Sequence, residues 1–177
     1  MQFDQYQFRL VQLSDAEAFF GLIEHNRPRL EDFFAGTVAR TRSLQDTIDY
    51  FAEIEKKIEA RAYFPFIIID SEKDRFIGFM DIKNIDWNIP KAEVGYFIDA
   101  GYKRKGISGK ALNLLIDFAA KELGMRKLLI RTHTVNVAAK ALAEKCGFTE
   151  EGIIRSDYKT SKGEIVDLVY YGLVISE

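Results

Sequence analysis

The chain has 177 residues, enough for one domain with a sizeable core. Hydrophobic residues make up 47% and charged residues 29%, and the net charge is −2 at pH 7; this excludes general affinity for nucleic acid or an anionic membrane and makes any anion site local. One cysteine excludes an intrachain disulfide and suits a reducing, cytoplasmic setting, while the early charge in MQFDQYQFRL reads as neither a signal peptide nor a membrane span.

Phe8–Leu13 reads as a first strand. Ser14-Asp15-Ala16-Glu17 has the spacing of a capping box, opening a helix to about Glu24. Asn26–Arg42 mixes charge and aromatics without a clean period and reads as a loop or broken helix. Ser43, with Asp46 three residues on, caps a longer helix from Leu44 to about Ala60. Phe64–Ile69 and Phe76–Lys83 form an antiparallel hairpin around the polar turn Ser71–Asp74, with Pro65 at the strand's start or on an edge.

Ala92–Asp99 is a further strand, Gly101–Ser108 a loop, and Gly109–Leu123 a helix whose Ala111, Leu114, Leu115, Phe118 and Ala119 share one face. Lys127–Thr132 is a strand, Asn136 caps a helix through Cys146, and Phe148–Arg155 and Ile165–Val174 are the last two strands. Strand, loop, helix and strand over residues 92–132 make a βαβ unit, so those two strands run parallel. The expected architecture is α/β (α+β), a single domain over 1–177 with a mixed sheet of about seven strands and about four helices.

The segment Lys103-Arg104-Lys105-Gly106-Ile107-Ser108-Gly109 joins a strand to a helix. Two glycines and a serine leave main-chain amides uncovered, three cations precede them, and the helix N-terminus adds about half a positive charge. The combination suits a phosphate or pyrophosphate. Composition alone also fits a solvated turn. Gly101 and Gly106 have Walker spacing, but Ile107 stands where the phosphate-binding lysine must be, and no G-x-G opens the turn. The two histidines and one cysteine are scattered without metal-ligand spacing.

These residues resemble the GNAT superfamily of acetyl-CoA-dependent N-acetyltransferases. Lys103-x-x-Gly106-x-Ser108 is similar to the family's [Gln/Arg]-x-x-Gly-x-[Gly/Ala] signature, and Thr134–Phe148 (TVNVAAKALAEKCGF) to its Asn-x-x-[Ser/Ala]…Glu-Lys-x-Gly-Phe block. Asn26-Arg27, Leu30, Phe33-Phe34, Ser43 and Asp46-Thr47, with Gly152, Arg155, Tyr158, Gly163, Asp167 and Tyr170 downstream, resemble the ribosomal-protein N-terminal acetyltransferase (RimJ/RimL-like) group.

The resemblance implies the acyl-CoA N-acyltransferase fold, splayed between the fourth and fifth strands, with acetyl-CoA as co-substrate and no metal. The pantetheine arm would pair with the fourth strand at Phe97, Ile98 and Asp99, and Lys103, Arg104, Lys105, Gly106, Ile107, Ser108 and Gly109 would hold the pyrophosphate. Asn136 would touch the arm, although a plain helix cap explains it too. Amides near Phe97 would support the thioester oxygen, each donor worth on the order of 3 kcal/mol.

Glu93 is the first candidate for general base and His133 the second; His25 could line the acceptor side. The tyrosine acid of many relatives is replaced by Ala143, and the serine of some RimL-like enzymes by Ala139; Tyr158 could reach the cleft instead. Cys146, with apolar helical neighbours, reads as a buried small hydrophobe, and Trp87 as a loop anchor or dimer contact. The expected reaction is direct transfer of acetyl to a primary amine in a ternary complex, foremost a protein or peptide N-terminus, of a ribosomal or other protein. The alternatives are a small amine such as a polyamine or aminoglycoside, or a non-catalytic acetyl-CoA sensor. A polycation would require Asp46, Asp49, Glu53, Asp81 and Asp86 to converge. A homodimer is compatible with the group.

Overall fold

The computed structural model describes residues 1–175. In chain order the elements are β1 (Gln2–Phe3), β2 (Tyr6–Leu10), α1 (Ala16–Leu30), α2 (Ala35–Ala39), α3 (Leu44–Glu59), β3 (Phe64–Asp70), β4 (Arg75–Asp86), β5 (Lys91–Ile98), α4 (Ile107–Lys121), β6 (Lys127–His133), α5 (Val137–Lys145), β7 (Thr149–Lys159) and β8 (Ile165–Val174). The eight strands form one mixed sheet in the order β1-β2-β3-β4-β5-β6-β8-β7. Only β5 and β6 pair in parallel, as the strand–helix–strand unit requires.

The sheet carries a core on each face. On β3 every residue is buried, because alternate side chains serve opposite layers. Phe66 and Ile68 join Leu112, Leu115 and Ala119 of α4, whereas Ile67 and Ile69 join Phe19 and Ile23 of α1 and Phe51 and Ile54 of α3. Phe8 stacks on Phe66 at 4.8 Å, and Phe19 bridges Phe51 and Phe79 at 5.2 and 5.1 Å.

Several boundaries differ from the sequence expectation. Ser14 and Glu17 do not cap α1. The chain enters it through a 3-10 turn, Leu13–Asp15, where the buried Asp15 accepts from Gln12 N at 2.8 Å and pairs with Arg9 at 2.7 and 2.8 Å. Helix α1 continues through Pro28 to Leu30 because Leu22, Ile23, Asn26 and Leu30 bury one face, and this burial outweighs the ladder bond that proline removes. The stretch read as a loop or broken helix thus supplies the end of α1 and all of α2. Ser43 does cap α3, its hydroxyl accepting from Asp46 N at 3.1 Å. The first strand is shifted to Tyr6–Leu10, and the eighth strand is the short β1 beside it, too brief to leave a periodic signal.

Replacing Ile68, fully buried on the α4 face, with Ala is expected to cost about 2–5 kcal/mol. Denaturant unfolding should show a lower midpoint with an unchanged m-value; a midpoint equal to that of the parent would contradict this packing.

Candidate functional site

β5 and β6 pair only at Lys91–Lys127, Ala92–Leu128 and Glu93–Leu129, and then separate. The separation exposes one edge of β5. Asp99 N bonds to Ile77 O and Gly95 N to the Asp81 carboxylate, both on the β4 side. Arg126 and Lys127 N bond to Pro90 O on the β6 side. By strand alternation the main-chain groups of Tyr96 and Ile98, with the carbonyl of Val94, therefore face the gap, and the amide of Phe97 faces β4. Tyr96 and Ile98, rather than Phe97, are the residues whose amides face the opening. Arg29 donates to Ile98 O.

Beyond β5 a 3-10 turn, Ala100–Tyr102, leads into the cationic loop, and α4 starts at Ile107 rather than Gly109. The helix therefore begins within the glycine-rich segment. Gly106 is its N-cap at φ +77°, and a Cβ there would meet nothing within 4 Å, so the space over the loop is open. Lys110 N is the first to bond back, to Gly106 O at 3.2 Å, leaving the Ile107, Ser108 and Gly109 amides without helical partners. The Ile107 side chain is buried in the core, so only its main chain can serve a ligand. Lys103, Arg104 and Lys105 are exposed around this end, with Lys105 4.7 Å above the Tyr102 ring. Burial, with help from Arg29 and Arg104, lowers the Lys103 ammonium below its usual range. Asp99 is not exposed to the loop's opening: its buried carboxylate accepts from Asn26 Nδ2 and Gly101 N, each at 2.9 Å.

Where the strands part lies a cavity of about 250 Å³, bordered by Phe33, Phe34, Lys83, Glu93, Tyr96 and Arg131, with His133, Asn136, Ala139 and Tyr158 at its other walls. Glu93 Oε2 accepts from Asn84 Nδ2 at 2.8 Å and Arg131 Nε at 2.9 Å, and its Oε1 lies 3.8 Å from Lys83 Nζ. Lys83 also lies 3.3 Å from Asp81, and Arg131 lies 3.7 Å from Asp157, so carboxylates and cations alternate along the floor. Burial works against the charge on Lys83, but Asp81 and Glu93 outweigh it and hold the ammonium above its usual range. Asp81 is itself buried, accepting from Tyr63 at 2.9 Å beneath Gly95. A Cβ at residue 95 would stand 2.5 Å from Asp81 Oδ1 and 2.7 Å from Lys83 Nζ, which explains the glycine.

His133 faces Phe33 across the cavity with ring centroids 6.5 Å apart, while His25 sits at the loop end, 3.6 Å from Asp99. Asn136 caps α5, accepting from Ala139 N at 3.3 Å and donating to Thr132 at 3.0 Å. The Tyr158 hydroxyl accepts from Ala35 N at 3.2 Å, tying β7 to α2 across the cavity. Ala143 is fully buried, and Tyr96 donates to Ala139 O at 2.9 Å. Burial raises the thiol of half-buried Cys146, as expected of a small hydrophobe rather than a nucleophile. Trp87 lies outside the cavity under Arg61, 5.1 Å from the guanidinium.

Sequence reasoning missed Lys83 and Arg131, and it gave Asp81 only as one of five acidic candidates and Phe34 only within the resemblance. A signal existed: an aspartate inside the apolar run FIGFMDI and an arginine inside KLLIRT are charges at core-like positions. None of Asp46, Asp49, Glu53, Asp81 and Asp86 lines the cavity; among the described residues its acidic lining is Asp32 and Glu93.

The profile of the acetyltransferase (GNAT) domain family matches residues 6–149. The putative ribosomal N-acetyltransferase YdaF of Bacillus subtilis is 32% identical over 176 residues, covering 96% of this chain and 91% of that protein. A spermidine N(1)-acetyltransferase of Vibrio cholerae is 26% identical over 118 residues, covering 64% and 68% respectively. The structure of RimL, a ribosomal L7/L12 α-N-protein acetyltransferase in complex with coenzyme A, matches with a TM-score of 0.91 at 20% identity, covering 98% of this chain and 96% of that one. With the open strand pair and the helix-capped glycine loop, these matches place the chain in the GNAT family, as an acetyl-CoA-dependent N-acetyltransferase.

Proposed function

We propose that this enzyme acetylates the α-amine of a protein or peptide N-terminus, ribosomal proteins included, in the cytoplasm. The observation that carries the reading is the gap between β5 and β6 opening directly onto the amide-lined start of α4. Acetyl-CoA, when bound, supplies the activated acetyl thioester. The residues present fit it: open space over Gly106, unpartnered amides at Ile107, Ser108 and Gly109, and gap-facing amides at Tyr96 and Ile98. The helix end and loop cations favour the pyrophosphate, and the β5 amides can bond to the arm and hold charge on the thioester oxygen. Lys103, Arg104 and Lys105 add attraction without shaped contacts.

An ammonium ion cannot attack, so a proton must leave the acceptor first. Glu93 is positioned for this. Asn84 and Arg131 fix its Oε2, leaving Oε1, 3.8 Å from Lys83 Nζ, as the atom that would take the proton, directly or through water. His133 is the competing base. Neither Ala139 nor Ala143 brings a hydroxyl to α5; Tyr96, on Ala139 O, and Tyr158, on Ala35 N, are tyrosine hydroxyls of the cavity lining that could serve as the acid. The charge balance of the cavity supports a peptide terminus over a polyamine, because Lys83 and Arg131 offset the acidic lining. The spermidine-acetylating relative keeps a small amine as the second candidate.

Two outcomes test this reading. Acetyl-CoA at about 100 times its Kd should raise stability by roughly 2.7 kcal/mol in a thermal-shift assay, and Gly106→Glu should remove that gain by placing a carboxylate in the open cradle. A shift unaltered by the substitution would mean the diphosphate binds elsewhere. In thiol-release assays with N-terminal peptides and polyamines, Glu93→Gln should lower kcat on the order of 10²-fold or more with cofactor affinity retained, and His133→Gln should stay within a few-fold. The opposite pattern assigns the proton to the histidine, and turnover of spermidine alone rejects the peptide terminus.

A further inference from the structure

Asn26 does not border the cavity and takes no part in the chemistry above, yet it is 2% exposed and fully engaged. Its Nδ2 donates to Leu22 O at 3.0 Å and to Asp99 Oδ2 at 2.9 Å. Its Oδ1 accepts from Ala100 N at 3.1 Å and Arg29 at 2.9 Å. Four bonds use every donor and acceptor site that a buried carboxamide has in this geometry. Two of them end on the residues where the chain turns from β5 toward the cationic loop.

We propose that Asn26 is a positioning residue for cofactor binding: through Asp99 and Ala100 it sets the direction in which the phosphate-binding loop leaves β5. This rests on the reading that the loop holds the diphosphate. Asp99 is fixed from both ends, its N–H on Ile77 O at 2.7 Å and its Oδ1 on Gly101 N at 2.9 Å. The peptide units at 100 and 101 are therefore both tied to the Asn26–Asp99 pair. Tyr102 completes the anchor by donating to the buried Asp70 at 2.8 Å. Only after this pinned root do the exposed residues Lys103–Gly106 begin. Arg29, one turn along α1 from Asn26, holds Ile98 O just before the root.

The chemistry demands asparagine. A carboxylate at position 26 offers no hydrogen to Leu22 O and would face Asp99 across the same 2.9 Å. An alanine leaves Asp99 Oδ2 with only longer ion contacts, Arg75 at 3.5 Å and His25 at 3.6 Å, and Ala100 N without its acceptor. Such a change frees the loop root without touching Glu93 or Lys83; at β5 it reaches only the end of the strand, through Arg29 on Ile98 O.

Titration calorimetry with coenzyme A tests the proposal on the intact chain, below the melting temperature of each variant. Asn26→Ala and Asn26→Ser are expected to weaken coenzyme A binding about tenfold or more, with kcat at saturating acetyl-CoA within about threefold of the parent. Asn26→Asp and Asp99→Asn should each weaken it as well. The double variant Asn26→Asp/Asp99→Asn regains the 26–99 bond with donor and acceptor exchanged, although not the bond to Leu22 O, and should bind coenzyme A more tightly than either single variant. A lowered melting temperature with unchanged affinity in folded variants would make Asn26 merely structural and overturn the proposal, as would a double variant no better than the weaker single. Gly106→Glu separates the two levels: if it abolishes binding while Asn26→Ala binds normally, this inference fails alone, and if it binds normally the loop reading fails with it.

Discussion

Main-chain amides that lie inside a protein without partners cost free energy, and this enzyme keeps a row of them. β5 and β6 part after Glu93 and Leu129, so Tyr96 and Ile98 turn their N–H groups into an opening instead of a ladder. The surrounding fold is arranged to hold that opening. Tyr96 reaches past it to Ala139 O on α5, and Asn136 ties the start of α5 back to Thr132 at the end of β6. On either side β5 and β6 pair with β4 and β8, and the sheet carries a core on each face, so the strands cannot close by sliding without dismantling two cores.

The opening separates two kinds of chemistry. Toward α4 the binding groups are backbone, aided by a helix terminus, and act by geometry. Toward α1 and α2 the groups are side chains in an alternating ladder from Asp81 through Lys83, Glu93 and Arg131 to Asp157. Each charge has an opposite neighbour, and this lets them persist at partial burial. Gly95 is the hinge of this second half: its missing side chain lets Asp81 and Lys83 approach the β5 backbone. Phe97, under the same wall, contacts Phe34 edge-on at 5.2 Å and Phe79 at 5.8 Å, so the acceptor side is seated directly on the α1/α3 core.

The difference explains what could be read from the sequence. The strand–loop–helix–strand order and the Gly106–Gly109 segment were legible because backbone conformation and helix termini leave local signals: glycine, a cap, a period. The same locality fixed Ser43 as a cap. Non-local facts were not legible. Nothing in HNRPRL says that Asn26 meets Asp99, 73 residues away, or that burial carries α1 past Pro28. The role assigned to Asp99 illustrates the limit. Its position at the end of β5 was correct, but its buried carboxylate turns inward to hold the loop root. Glu93 was identified from its place on the strand, while the donors that fix it, Asn84 and Arg131, come from two other strands.

Acceptor choice follows the same division. On the proposed reading the cofactor half depends on main-chain direction, for which lysine at 103 and serine at 108 serve as well as the residues of the family pattern. The acceptor half is assembled from the end of α1, from α2 and from Tyr158, whose hydroxyl bonds to Ala35 N from the far end of the chain. Arg27, next to Asn26, holds Val38 O at 3.3 Å and also Thr41 O, so the wall beside α2 hangs from the same turn of α1 that bonds to Asp99 and Ala100 at the root of the glycine loop. Changes in the exposed residues of this wall can alter the amine that fits while Asn26, Asp99 and the open strand pair stay as they are. One scaffold can therefore serve relatives named for ribosomal proteins and for spermidine, because the groups that choose the amine are not those that hold the thioester.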